Sequence, residues 1–222
     1  RLVQTNLDEK SAALSKQVRA MASEVVDLSK ANLYNWVKPR RPIPPDRIVE
    51  VAERVAAGGV VTDPLDEASV HAAADVLLTL DIEAVAICHL HAFANPAHEA
   101  RVAEILRDRL PGVAVTASTD VLPVVREYER TLASVLNAIV MPGVTTYVGR
   151  LEERLKSEGV TAPLLLMQSN GGVSGAAKIR KAPALTALSG PAAGVVGALA
   201  EAQACGIADI VTVDIGGTRV DF

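Results

Sequence analysis

Two short apolar runs of strand length, Ala84-Val85-Ala86-Ile87-Cys88 and Val113 to Thr116, flank one helical segment, and this order leaves the chain few folds to choose from. Asn95-Pro96 opens the helix, Val102, Ile105 and Leu106 form its inward face, and Pro111-Gly112 breaks it before the second run. Strand, helix and strand in succession predict parallel strands, because a parallel pair needs a crossover that returns the chain to the same end. An α/β fold with helices packed on a mixed sheet is expected.

The flanking segments extend this pattern. Asp46 to Val61 alternates weakly about Gly58-Gly59, which suits a β-hairpin turning at the glycines. Pro64-Leu65-Asp66 opens a helix capped by Asp66 or a neighbour, with Val70, Ala74, Leu77 and Leu78 facing inward. Asp120 to Ser157 is helical apart from Met141-Pro142-Gly143, which predicts two helices meeting at a kink. Gly159 ends the second, and Pro163 to Met167 reads as a buried strand that stops at Asn170-Gly171-Gly172. A further helix runs from near Pro191 to Gly206, and Ile210 to Val213 reads as a final strand.

The N-terminal part differs. Within residues 1–30, Leu7, Leu14, Val18, Met21, Val25 and Leu28 recur at steps of three and four, with Ser11 in the missing place. They form one apolar helical stripe suited to packing on the domain or on a partner chain. Residues 31–45 form a connector, since Pro39, Pro42, Pro44 and Pro45 remove N–H donors and bias their neighbours to extended backbone. Residues 46–222 are expected to fold as one unit.

Composition narrows the function. With 50% apolar and 22% charged residues in 222, the chain is not of the disordered class. A net charge of −4 and only Trp 1, Tyr 3 and Phe 2 argue against a nucleic-acid partner. Cys88 and Cys205 form no C-x-x-C pair, so neither a disulfide framework nor a zinc knuckle is indicated and a reducing compartment is expected. No uninterrupted apolar run approaches the length of a membrane span, and no signal pattern opens the chain; a cytoplasmic protein without a membrane partner is expected.

Three glycine turns carry the chemistry. Asp214-Ile215-Gly216-Gly217-Thr218 follows the last strand; glycines let backbone N–H groups approach a phosphate, and Thr218 adds a hydroxyl. Asp214 tolerates a phosphate only with a cation between them, and Mg²⁺ is the hard cation that one carboxylate and water usually hold beside phosphates. Taken alone, the same run is a β-turn with a capping Asp. Leu188-Ser189-Gly190-Pro191-Ala192-Ala193-Gly194 opens an Ala/Gly-rich helix whose free N–H groups favour an anion, although Gly194 and Gly197 also suit close packing on a neighbour. Met167-Gln168-Ser169-Asn170-Gly171-Gly172 ends a strand in a polar turn of the kind that contacts ligands. Together they suit one nucleotide cleft.

Other polar residues read more plainly. His89 and His91 would share a strand face, without a third ligand at metal spacing, and packing or a hydrogen bond is the simpler role. His98, beside Glu99 at a helix start, suggests capping, and His71 has no evident partner. Arg126-Glu127-Tyr128-Glu129-Arg130 has the pattern of a charged helix surface with local pairs.

The runs MQSNGG (167–172), LSGPAAGVVGA (188–198) and VDIGGTRVDF (213–222) resemble the ATP-dependent hydantoinase/oxoprolinase family, the hydantoinase A-like subunits. HLHAFANPAHEARV (89–102) and VVREYERTLASVLNA (124–138) resemble two further segments of that family, in the same order. The resemblance spans roughly residues 32–222 and implies an actin- and sugar-kinase-like fold of two ribonuclease-H-like lobes around a nucleotide. It implies two D-x-G-G-T loops, of which this chain holds the second, with Arg219-Val220 where small hydroxylated residues are common. Part of one ATPase lobe, inactive alone, is therefore expected. It also raises a binding or lobe-bridging role for Glu127, Tyr128 and Arg130.

The implied activity is ATP-dependent ring opening of a cyclic amide, a 5-oxoproline as in glutathione metabolism or a hydantoin, through phosphorylation of the amide oxygen. The implied assignments are Asp214 to Mg²⁺, Gly216, Gly217 and Thr218 to the phosphates, and Ser189, Gly190, Asn170 and Gly171 to the nucleotide cleft. No residue is named as nucleophile or general base. A second, hydantoinase B-like subunit and an oligomeric assembly are implied as partners. The related ATP-dependent ketone carboxylases are an alternative, and a non-catalytic one-lobe scaffold is another.

Overall fold

A computed structural model describes residues 42–215 together with Val220 and Asp221. The Leu7–Leu28 stripe, most of the proline-rich connector, and Gly216, Gly217 and Thr218 lie outside the described residues.

After a 3-10 turn at Pro45–Arg47, β1 (Arg54–Val55) and β2 (Val61–Asp63) pair antiparallel. The expected hairpin is present, but shorter and later than 46–61. Its turn needs Gly59, where φ is +81° and a Cβ would lie 3.0 Å from the Ala94 carbonyl oxygen. Asn95 Nδ2 donates to the Gly59 carbonyl at 2.9 Å, tying the turn to the loop before the second helix.

The first helix, α1 (Glu67–Leu78), is capped as expected: Asp66 Oδ1 accepts from the Ala68 N–H at 3.0 Å. Val70, Ala74 and Leu77 are buried, whereas Leu78 is 56% exposed. One residue is about 100° of helix rotation, which carries Leu78 off the stripe. Next come β3 (Ala84–Ile87), α2 (Ala97–Arg109) and β4 (Ala114–Ala117). The parallel β3–β4 pairing, Ala84 opposite Ala114 through Ile87 opposite Ala117, is the predicted strand–helix–strand unit. Val70 and Leu77 of α1, Val102, Ile105 and Leu106 of α2, and Ile87 of β3 close one apolar core over it.

Downstream, the expected kinked pair of helices is replaced by a short α3 (Ser118–Val121) and a single α4 (Glu127–Ser157) of 31 residues that runs through Pro142. Proline removes one N–H from the helix ladder, yet Ala138 and Met141 are buried beside it and α4 packs on β3 and β4. That tertiary packing outweighs the local break. Glu127 and Glu129 in the first turn, with Arg154 and Lys156 in the last, suit the helix dipole. By length and composition α4 is the one helix among the described residues that could cross a membrane. It nevertheless buries Arg130, Ser134 and Asn137 against neighbouring elements.

β5 (Leu165–Met167) pairs antiparallel with β6 (Val173–Gly175), a strand the sequence reading did not contain. β5 is not the buried strand expected: it sits in a two-stranded ribbon, and Leu165 is 57% exposed. α5 (Ala176–Lys181), a 3-10 turn at Pro183–Thr186 and α6 (Ser189–Ala204) follow. Ile210–Val213 is not a strand; β7 is Asp214–Ile215, paired antiparallel with β8 (Val220–Asp221). The segment before β7 has no ladder partner among the described residues, and Val211 is 87% exposed. The fold is thus α/β, but among the described residues the strands form four separate two-stranded sheets rather than one mixed sheet.

Candidate functional site

Two of the three glycine turns meet. The Ser169 N–H and Oγ–H both donate to the Leu185 carbonyl, at 2.7 and 2.8 Å, and Ser169 Oγ accepts from the Leu188 N–H at 3.2 Å. One serine thereby fastens the β5–β6 turn to the residues that lead into α6. Gly171, in that turn, has φ +81°, and a Cβ there would stand 3.2 Å from Val196 Cγ2 of α6. Both the left-handed backbone and the close approach require glycine. Asn170 Oδ1 accepts from the Gly172 N–H at 2.9 Å, so this side chain shapes the turn.

Helix α6 begins at Ser189, two residues before the expected Pro191, and its cap residue Leu188 provides no side-chain acceptor. The Ser189 and Gly190 N–H groups precede the first intrahelical acceptor, and Pro191 has no N–H to satisfy. Gly190, Gly194 and Gly197 each have nothing within 4 Å of a Cβ position, so close packing among the described residues does not explain them.

Asp214 is exposed at the start of β7, its Cα opposite that of Asp221. The connector of this hairpin, with Gly216, Gly217 and Thr218, lies outside the described residues. The structure therefore sets the Ser169–Gly172 turn against Leu188, the residue before Ser189 and Gly190, and Gly171 against Val196 of α6, while the ladder partner of Asp214 among the described residues is β8. Among the described residues no group of three or more His, Cys, Asp or Glu could hold a metal ion. A single exposed carboxylate suits Mg²⁺ only when water and phosphate oxygens complete the shell.

A buried polar cluster at the carboxyl ends of β3 and β4 escaped the sequence reading. Glu99 of α2, fully buried, accepts from the His89 N–H at 2.8 Å and from Ser118 Oγ at 2.7 Å. It also accepts from both the N–H and the hydroxyl of Thr119 at 3.0 Å. His98 is no cap: its Nδ1 lies 2.7 Å from Glu53 Oε2, and Asn95 Oδ1 takes the capping role toward the Ala97 N–H at 3.2 Å. Burial pushes the His89 imidazole below its ordinary value near 6.5, against the pull of Glu53 and Glu99. Burial likewise raises the Cys88 thiol. Arg109 Nη1 lies 3.4 Å from His71 Nδ1, the partner the sequence did not reveal.

The Arg126–Arg130 segment divides. Arg126 pairs with Glu129 at 3.2 Å on the surface, and Tyr128 is 73% exposed. Arg130 is not on the surface at all: it is 1% exposed, and its Nη2 donates to the His89 carbonyl at 2.6 Å.

Asn137, also fully buried, links this cluster to the glycine turns. Its Nδ2 donates to Thr116 Oγ1 and to the Lys181 carbonyl, both at 3.1 Å, and its Oδ1 accepts from the Ala184 N–H at 3.0 Å. The next residue, Leu185, is the one that receives Ser169. Two sets of hydrogen bonds, joined through the Ala184–Leu185 backbone, thus connect the end of β4 to the start of α6. The signal in the sequence was an Asn on the inward stripe of a long helix, where an unpartnered amide is costly.

Two family models match the chain: hydantoinase/oxoprolinase N-terminal region over residues 4–110 and hydantoinase/oxoprolinase over residues 130–222. The caprolactamase alpha subunit of Pseudomonas jessenii is 36% identical over 172 residues, which are 78% of this chain and 25% of that protein. The acetophenone carboxylase gamma subunit of Aromatoleum aromaticum is 34% identical over 198 residues, 86% of this chain and 27% of that one. The chain thus spans about a quarter of the length of these relatives. The solved structure of nucleotide-free acetone carboxylase superposes with a TM-score of 0.75 at 28% identity, over 92% of this chain and 29% of that one. With both models in chain order, and the glycine turns and the 89–102 segment falling inside them, the chain belongs to the hydantoinase/oxoprolinase family.

Proposed function

We propose that this chain forms part of the nucleotide site of an ATP-dependent enzyme that opens a cyclic amide by activating its carbonyl oxygen. The observation that carries the reading is the union of the Ser169–Gly172 turn with the start of α6. It sets that turn beside a helix start whose backbone N–H groups have no side-chain cap and whose Gly190 has open space around it. Such a cradle suits phosphate oxygens, because free N–H dipoles stabilise negative charge without bringing a mobile cation. The caprolactamase relationship supports a lactam as the other substrate.

An unstrained lactam resists water because its carbonyl carbon is a poor electrophile. ATP, when bound, supplies a γ-phosphoryl group that makes the amide oxygen part of a leaving group. In this reading the Ser189 and Gly190 N–H groups hold phosphate oxygens in place, and Asn170 and Gly171 fix the turn that faces them. On the same reading Asp214 would hold Mg²⁺ through water, and Gly216, Gly217 and Thr218 would contact the phosphates. The protein contributes orientation and charge neutralisation. The fold of the whole protein is then an actin-like pair of lobes, of which these residues are part of one.

Carboxylation is the second reading, favoured by the structural match to acetone carboxylase and by the acetophenone carboxylase relative. There the same activation acts on bicarbonate or an enol oxygen. Partner subunits fit either reading, since the relatives are named as subunits. The deciding measurement is ATP hydrolysis by the full-length protein, with any partner subunit, in the presence of 5-oxoproline, a hydantoin, caprolactam, or a ketone with bicarbonate. Stimulation by a cyclic amide alone supports the first reading, and stimulation only by ketone plus bicarbonate supports the second. No substrate-dependent turnover with any of them removes both.

A further inference from the structure

β3 stands at the border of its sheet yet has none of the marks of a border strand. It pairs with β4 alone among the described residues. Edge strands are usually blunted by a charge, a proline or a bulge, because a bare row of N–H and C=O groups invites another strand. Ala84-Val85-Ala86-Ile87-Cys88 has no charge and no proline, and the register with β4 runs without a bulge. A continuous apolar run of this kind is the pattern of a strand inside a parallel sheet, covered on both faces.

The ladder shows which backbone groups are left over. The Ala114 N–H donates to the Glu83 carbonyl at 3.0 Å. Successive residues of a strand present their backbone groups to opposite edges, so Val85 and Ile87 face β4 while Ala84 and Ala86 face away from it. No strand among the described residues meets that second edge.

A slot lies along it. Every residue from Ala84 to Leu90 lines a cavity of about 980 Å³, so the cavity follows the strand and reaches both of its faces. The two faces are covered by different helices: Ile87 and Val115 belong to the core with α1 and α2, whereas Thr116, on the other face, receives Asn137 of α4. Both helix layers extend beyond β3, since Val70 and Leu77 of α1 and Val135 and Ile139 of α4 also line the cavity. Val49 and Val51, before β1, line it too.

We infer that this slot receives one more β-strand, an extended segment of the same polypeptide from outside these 222 residues, hydrogen-bonded to the free edge at Ala84 and Ala86. With α1 on one side and α4 on the other, the side chains of that segment are apolar on both faces. The matched residues span about a quarter of the length of the relatives, so a protein of their size has ample chain to supply it. The walls favour a source in the same chain: a segment that folds together with α1 and α4 is enclosed as they pack, whereas a separate chain would have to part the two layers.

The test is amide hydrogen exchange at single-residue resolution in the full-length protein, joined to photo-cross-linking from Leu90, which lines the slot and is 39% exposed. The Ala84 and Ala86 amides should exchange within about tenfold of those of Val85 and Ile87, which β4 already protects. Faster exchange at Ala86 would mean a bare edge and overturn the added strand. Ala86→Pro removes one N–H, which an edge strand tolerates when that group faces solvent and an interior strand does not. Its thermal midpoint should fall as far as that of Val85→Pro, and a midpoint like the parent's for Ala86→Pro would overturn the proposal as well. If neither variant folds, exchange in the parent decides. With p-benzoylphenylalanine in place of Leu90, the cross-linked peptide should come from the same polypeptide, outside the 222 residues, at every protein concentration. A peptide from within them, from a partner subunit, or from a second copy whose cross-link fades on dilution would overturn the assignment of the occupant. None of these readouts uses ATP turnover.

Discussion

Glu99 is buried with both of its oxygens met by donors, from the end of β3 and from α3. For His89, whose N–H is one of those donors, burial disfavours the charged form of the ring. A histidine with a lowered value in the fold binds protons more readily once the chain unfolds. Between the lowered value and the ordinary 6.5, stability therefore falls as pH falls, and it is level above that window. Denaturant midpoints measured from pH 8 to pH 5 should decline below about 6.5, and less steeply in His89→Gln, which keeps the backbone contacts. Equal slopes would show that another group sets the acid limit. Asp214 belongs to the same scale. On the function proposed above, Asp214→Asn in the full-length protein should lower ATP turnover by roughly 10²–10³, about 3–4 kcal/mol, since that proposal gives this carboxylate the cation at the phosphates. Turnover within a few-fold of the parent, in a folded protein, would make the strand-end turn a structural device.

Among the elements, α4 does the most to connect the described residues, and two of its positions are open to test. Asn137→Ala should destabilise the chain by about 2–3 kcal/mol, because the Ala184 N–H and the Lys181 carbonyl lose their buried partner. Asn137→Asp keeps the acceptor for Ala184 but turns a carboxylate oxygen toward the Lys181 carbonyl, and should destabilise at least as much; an unchanged midpoint in urea for Asn137→Ala would deny the link between β4 and α6. Pro142→Ala should stabilise the chain by up to about 3 kcal/mol, since it restores an N–H to a helix that is already continuous. A loss of stability would mean that the proline ring is needed for packing. The same helix shows what could be read beforehand. The stripes of α1 and α2 and the Asp66 cap were legible, because spacing and capping are local chemistry. Pro142 misled, because only the packing of Ala138 and Met141 tells that the helix continues. Arg130 misled for a related reason: R-E-Y-E-R has the pattern of a surface, and the loop that buries it lies 41 residues earlier. The β5–β6 turn and the helix start at Ser189 were each legible as glycine turns; their meeting rests on Ser169 and Leu185, which no local pattern links.

Across the whole molecule, burial is uneven. The α1–β3–α2–β4 unit closes a core, whereas α6, sixteen residues long, has Ala202 as its one buried residue. Val195, Val196 and Leu199 on that helix, and Ile207, Ile210 and Val211 after it, face solvent. An oily flank of this kind governs how the polypeptide behaves in a test tube, where it lowers colloidal stability although the net charge of −4 opposes clumping. A preparation of these 222 residues by themselves should scatter light increasingly with concentration and with salt, as screening lets apolar flanks adhere. Replacing Val195 and Leu199 together by Lys should suppress that scattering with the melting temperature unchanged. Scattering that persists in the double variant would place the adhesive surface elsewhere. Handling the isolated polypeptide in dilute, low-salt buffer is the practical corollary of a helix that shows so much of its grease to water.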